Sequence, residues 1–277
     1  MEKTVIIIIL LFLTSLSYSQ TAEEYFQRGV SKVNLENYQG AIADYSKAIE
    51  INPKFSDTYY NRGVSKGNLK DYQGAIADYS ITIEINPNDD GAYYNRALIK
   101  FNLEDNQGSI ADYSKAIEIN HNETKYYYNR GVSKVNLEDY QGAIADYSIA
   151  IEIDPNDCSF YYNRGLAKRK SNDNQGAIAD YSKAIEINPK FSDAYYNRGY
   201  LKNNLEEDYE AAITDYTMAI TLSPNDSDPY CARGDTKYNL GQTDSACLDW
   251  QKSEELGNAD ATERIKNIVI NANHLKI

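Results

Sequence analysis

The stretch TKYYYNRGVSKVNLEDYQGAIADYSIAIEIDPND, residues 124–157, decides how the rest of the chain is read. Its first part sets Tyr127, Arg130, Gly131 and Lys134 at helical spacing, and Asp139 then offers an N-cap for a second helix. That second helix is expected from about Tyr140 to Ile153, because Ala143, Ile144, Tyr147, Ala150 and Ile151 fall on one helical face. Asp154-Pro155 stops it, since proline lacks the amide hydrogen and biases the preceding residue away from helix. The stretch therefore reads as a helical hairpin.

Working outward, the hairpin recurs. Its small residue at Gly131 repeats every 34 positions as Gly29, Gly63, Ala97, Gly165 and Gly199, and after one extra residue as Gly234. A proline keeps step at Pro53, Pro87, Pro155, Pro189 and Pro224, with His121 replacing it once. Such self-similarity implies stacked units, each too small to bury its own apolar face. Gly131 and Ala143 lack bulk where two helices would cross, and Tyr147 with Ala150 can wedge into the next hairpin.

Small residues at repeat positions 8, 20 and 27, an aromatic at 24 and proline at 32 make residues 22–260 resemble the tetratricopeptide repeat family. The implied fold is all-α: a right-handed superhelical solenoid of seven helical-hairpin repeats with a C-terminal capping helix. The units are 22–55, 56–89, 90–123, 124–157, 158–191, 192–226 and 227–260, and the sixth holds its extra residue near 206–208. In the seventh, Trp250 replaces the tyrosine, Ser253 the second alanine and Gly257 the proline, as capping repeats allow. Residues 261–277 form the capping helix and tail, with Ala261, Ile265, Ile268, Ala272 and Leu275 on its apolar side.

The resemblance also implies that the first helix of each hairpin lines a concave groove that binds polypeptide. On its groove positions stand Phe26, Tyr60, Tyr94, Tyr128, Tyr162 and Tyr196, together with Asn34, Asn68, Asn102 and Asn136. Tyrosine gives contact area at low entropic cost, and asparagine offers donors and acceptors to a peptide backbone. The competing reading is that these rings only pack on neighbouring helices. Arginine at position 7, lysine at 11 and aspartate at 23 recur in every unit, for example Arg130, Lys134 and Asp146. Most family members carry apolar or aromatic residues at the first two positions. An Arg–Asp ladder between helices is expected, with lysine stems covering apolar surface; a basic stripe gripping carboxylates is the alternative.

Charge and composition bound the function. The net charge of −13 repels nucleic acid and anionic lipid. Residues 1–19 read as a signal peptide, with Lys3, an apolar run from Val5 to Leu13 and small residues before a cut at Gln20. That run is too short to span a bilayer, so an exported chain is expected, periplasmic or secreted, with no membrane insertion of the mature part. Cys158, Cys231 and Cys247 are odd in number, and free thiols are favoured over a Cys231–Cys247 bridge. The two histidines, His121 and His274, stand alone, and no nucleophile–base pair, metal set or phosphate-cradling loop is visible. Neither enzyme activity nor a cofactor is expected.

The sequence therefore points to a scaffold or adaptor whose partners are other proteins or peptides. Its copies are unusually alike: Gly29 to Ala43 differs from Gly131 to Ala145 only at Asn37 against Asp139. Uniform copies suit a repetitive or extended ligand, or else a structural spacer or self-associating envelope component without a peptide ligand.

Overall fold

The computed structural model describes the backbone of residues 20–205 and 208–274, and side chains as far as Asn267. The expected leader, residues 206 and 207 beside the extra residue, and the side chains of Ile268, Ala272 and Leu275 lie outside what is described. The chain divides into two compact units, residues 1–122 and 123–277. The first contains α1 (Ala22–Val33), α2 (Tyr38–Ile51), α3 (Ser56–Asn68), α4 (Tyr72–Ile85), α5 (Asp90–Asn102) and α6 (Asn106–Ile119). The second contains α7 (Thr124–Asn136), α8 (Tyr140–Ile153), α9 (Cys158–Lys170), α10 (Asn174–Ile187), α11 (Ser192–Leu205), α12 (Tyr209–Leu222), α13 (Asp228–Asn239), α14 (Thr243–Glu255) and α15 (Ala259–His274). The described residues are all-α, built of paired helical hairpins.

Local chemistry sets the helix ends. Asp71, Asp105, Asp139 and Asp173 each cap a second helix by accepting a backbone N–H three residues on, at 2.9–3.0 Å. Asn37 does the same for α2, and Thr21 with Glu24 forms a reciprocal capping box at α1. Between the two helices of a hairpin the chain turns through one residue of positive φ: Glu36, Lys70, Glu104, Glu138 and Asn172, with φ from 57° to 66°.

The core of each hairpin is a ring beside a small residue, glycine in all but the third, where Ala97 takes the place. A methyl group at Gly131 would stand 2.8 Å from the Tyr147 ring, so a larger residue there would push the ring aside. Tyr147 also packs with Ala143 below it and with Ala167 of the following hairpin, which is the wedge expected from the sequence. Tyr181 repeats the arrangement with Ala177 and Leu201. In α14 and α15 the same role passes to Trp250, against Ala246, Cys231 and Ala261. All three cysteines are free thiols.

Candidate functional site

The aromatic stripe sits on the first helices, half-buried at every position from Phe26 to Tyr196. In the first unit, Phe26, Tyr60 and Tyr94 lie with ring centroids 5.8–5.9 Å from Tyr45, Tyr79 and Tyr113. In the second, Tyr128, Tyr162 and Tyr196 lie equally close to Tyr147, Tyr181 and Tyr216. Some hydroxyls are also engaged: Asn95 Nδ2 donates to the Tyr60 oxygen at 2.8 Å, and Asn197 Nδ2 to that of Tyr162 at 3.2 Å. Burial pushes the Tyr128 and Tyr162 phenols up, and that of Tyr196 up to about 12.

The amide stripe is exposed, with Asn68 Nδ2 donating to the Val64 carbonyl at 2.9 Å. Asn34, Asn68, Asn102 and Asn136 are exposed at the C-terminal ends of their helices. Asn68 and Asn102 share a shallow depression of about 240 Å³ with Val64 and Leu98 of the same helix face. Tyr128 lines a different depression, with Lys125, Asp157 and Ser159. The structure thus brings consecutive amides together with apolar residues of the track, while the rings are divided between packing duty and exposed edge.

The arginine ladder is present on these helices and is fuller than expected. Arg62 reaches Asp78 through Nε at 2.8 Å and Nη2 at 2.7 Å, and Arg164 reaches Asp180 at 2.9 and 2.7 Å. The lysines do more than cover apolar surface: Lys66 Nζ lies 2.8 Å from Asp78 and Lys168 Nζ 2.9 Å from Asp180. Two links escaped sequence reasoning. Arg62, Arg96, Arg164 and Arg198 also donate through Nη1 to Ser46, Ser80, Ser148 and Ser182 of the preceding hairpin at 3.0–3.1 Å. Each arginine further stacks over the tyrosine three residues before it, as Arg164 over Tyr161 at 5.6 Å. The only signal for the serine was its constant offset of 16 residues from the arginine. These guanidinium groups are committed to the chain itself, which disfavours the carboxylate-gripping stripe.

A further concavity, not anticipated from sequence, lies among α11, α12, α13 and α15. It encloses about 350 Å³ and is lined by Tyr196, Tyr200, Tyr216, Asp228, Asp235 and Asp260, together with Arg264. Arg264 Nε bonds Asp235, whose same oxygen accepts Trp250 Nε1 at 2.9 Å. The clue was a break in the repeat pattern: Tyr200 and Asp235 stand where earlier units carry valine or leucine. Among the described residues, no group of three or more His, Cys, Asp or Glu could hold a metal ion, and no helix is long and apolar enough to cross a membrane.

The TPR repeat family matches residues 31–70, 134–171, 165–204 and 205–241, and two further tetratricopeptide repeat profiles match 56–89 and 90–122. The chain belongs to the tetratricopeptide repeat family. No curated protein matches the sequence. Among solved structures, the C-terminal part of a TPR repeat-containing protein from Cytophaga hutchinsonii is 18% identical, with a TM-score of 0.74 over 86% of this chain and 98% of that one. A tetratricopeptide repeat protein from Parabacteroides merdae is 19% identical, with a TM-score of 0.63 over 88% and 97%. YrrB, described as a TPR protein with an unusual peptide-binding site, is 23% identical, with a TM-score of 0.60 over 67% and 95%. At these identities the likeness of this tetratricopeptide array to them is one of fold.

Proposed function

We propose that this tetratricopeptide array is a non-catalytic scaffold or adaptor that holds an extended polypeptide segment along the face of its first helices. The supporting observation is the exposed row of amides beside apolar residues, as where Asn68 and Asn102 border Val64 and Leu98 in one depression. An extended chain needs donors and acceptors at regular intervals, and an asparagine repeated once per hairpin supplies both. YrrB, which shares the fold, carries a peptide-binding site by its description. The spacer reading draws support from the same face, because Tyr60, Tyr128 and Tyr162 are held by rings and amides of their own chain.

A photo-crosslinking residue in place of Asn68 or Asn102 separates the two. Adducts with polypeptide are expected from these positions and not from exposed Ala43 or Ala77 on the second helices. Equal yields from both faces would favour the spacer. The apolar leader motivates a second part of the proposal, that the chain is exported and works outside the cytoplasm.

A further inference from the structure

The pocket among α11, α12, α13 and α15 differs from the rest of the track in chemistry. Elsewhere the track is apolar and amide-lined; here Asp228, Asp235 and Asp260 face a single guanidinium, that of Arg264. Arg264 is already spent on the Asp235 carboxylate and the Asp260 carbonyl, so the side chains of Asp228 and Asp260 leave the wall with a negative surplus. The aromatic part of the wall is also unfinished. Tyr216 is 1% exposed, and no described group hydrogen-bonds its hydroxyl, which opens on this space. A hydroxyl that lines a cavity offers a ligand one donor and one acceptor.

We propose that this pocket receives a basic side chain, lysine or arginine, carried by the bound polypeptide. Its N–H groups would find the Tyr216 oxygen and the two rim carboxylates, and its charge would face the rings of Tyr196 and Tyr200. Tyr200 already makes one such pairing, with the Arg169 guanidinium 5.6 Å from its centroid. The field in the pocket agrees. Burial pushes the Cys231 thiol up to about 11, and Asp235, Asp260 and Asp228 add to the rise against the opposing effect of Arg264. The Tyr196 phenol is raised by burial and then by Asp228.

The inference rests on the polypeptide-binding reading, and its test is chosen to fail separately. Trp250 is the single tryptophan of the chain and donates to Asp235, so its emission reports on the pocket. The full chain is titrated at low salt with capped Gly-Gly-Lys-Gly-Gly and Gly-Gly-Arg-Gly-Gly, against the same peptides carrying Gln or Glu. A saturable emission change is expected for the basic peptides alone. Affinity should fall about fivefold in an Asp228→Asn, Asp260→Asn variant, the loss of two partly screened pairings. It should hold in a Glu84→Gln, Glu152→Gln control, which removes equal charge elsewhere. No saturable change, an equal response to the Gln peptide, or an equal loss in the control would overturn the assignment. Crosslinks at Asn68 and Asn102 without basic-peptide binding would sink this pocket alone, whereas basic-peptide binding without those crosslinks would sink the broader reading.

Discussion

Asp180 is 5% exposed and meets two cations, Arg164 and Lys168, each 18% exposed. Removing the carboxylate strands both charges in a poorly solvated place, whereas removing the lysine leaves a bidentate pair intact. Asp180→Ala should therefore destabilise by about 3–5 kcal/mol and Lys168→Ala by about 1 kcal/mol. Urea denaturation reads the difference, and a reversed order would contradict the geometry. Asp44 extends the argument to pH: Arg28 and then Lys32 hold its carboxyl below the ordinary value. A depressed folded pKa stabilises above the unfolded carboxylate pKa of about 4, and that contribution is lost as pH falls through the folded value. Asp44→Asn should flatten this acidic limb of the stability curve; an unchanged limb would show that the pair does not govern it. The pairing was legible because arginine and aspartate recur together, but the serine partner was not, since Ser46 or Ser80 reads equally well as a solvent-facing residue.

At the scale of the helical hairpin, both ends of the second helix could be read from single residues. Asp139 announced the cap it makes, and Pro155 the stop. The turn before it could not. Glu138 adopts φ 59°, a left-handed conformation that nothing in a glutamate foretells; among the described residues at this turn, Asn172 and Gly241, in later copies, are the ones suited to it. Glu138→Gly should relieve that strain and raise stability by up to about 1 kcal/mol, the usual penalty for a side chain there. Thermal unfolding would show it, and a lowered midpoint would mean that the glutamate side chain contributes more than the strain. The site was legible to the same degree. The family resemblance placed the tyrosines and asparagines along the groove, but it could not show that the rings lean on Tyr79 or Tyr147 while the amides are exposed.

For the whole molecule, the proposed export has a simple readout. Intact mass of chain recovered outside the cytoplasm should correspond to a start at Gln20; retention of residues 1–19 on that material would refute processing there. The acidic pocket was the least legible part, because it is assembled from α11, α12, α13 and α15 and its residues share no motif. What betrays it is irregularity in a chain otherwise made of near-identical copies, and so the place where the copies diverge is where selectivity is expected to reside.

The serine link bears on how such a chain can change over generations. Arg62 reaches back to Ser46 and Arg96 to Ser80, so every copy along this stretch brings one donor for its predecessor and one acceptor for its successor. Excising residues 56–89 would set Arg96 opposite Ser46, an identical match, and duplicating them would add one complete link. Unequal recombination could therefore lengthen or shorten the gene by whole modules without orphaning an ion, leaving copy number free to drift until a ligand's reach selects it.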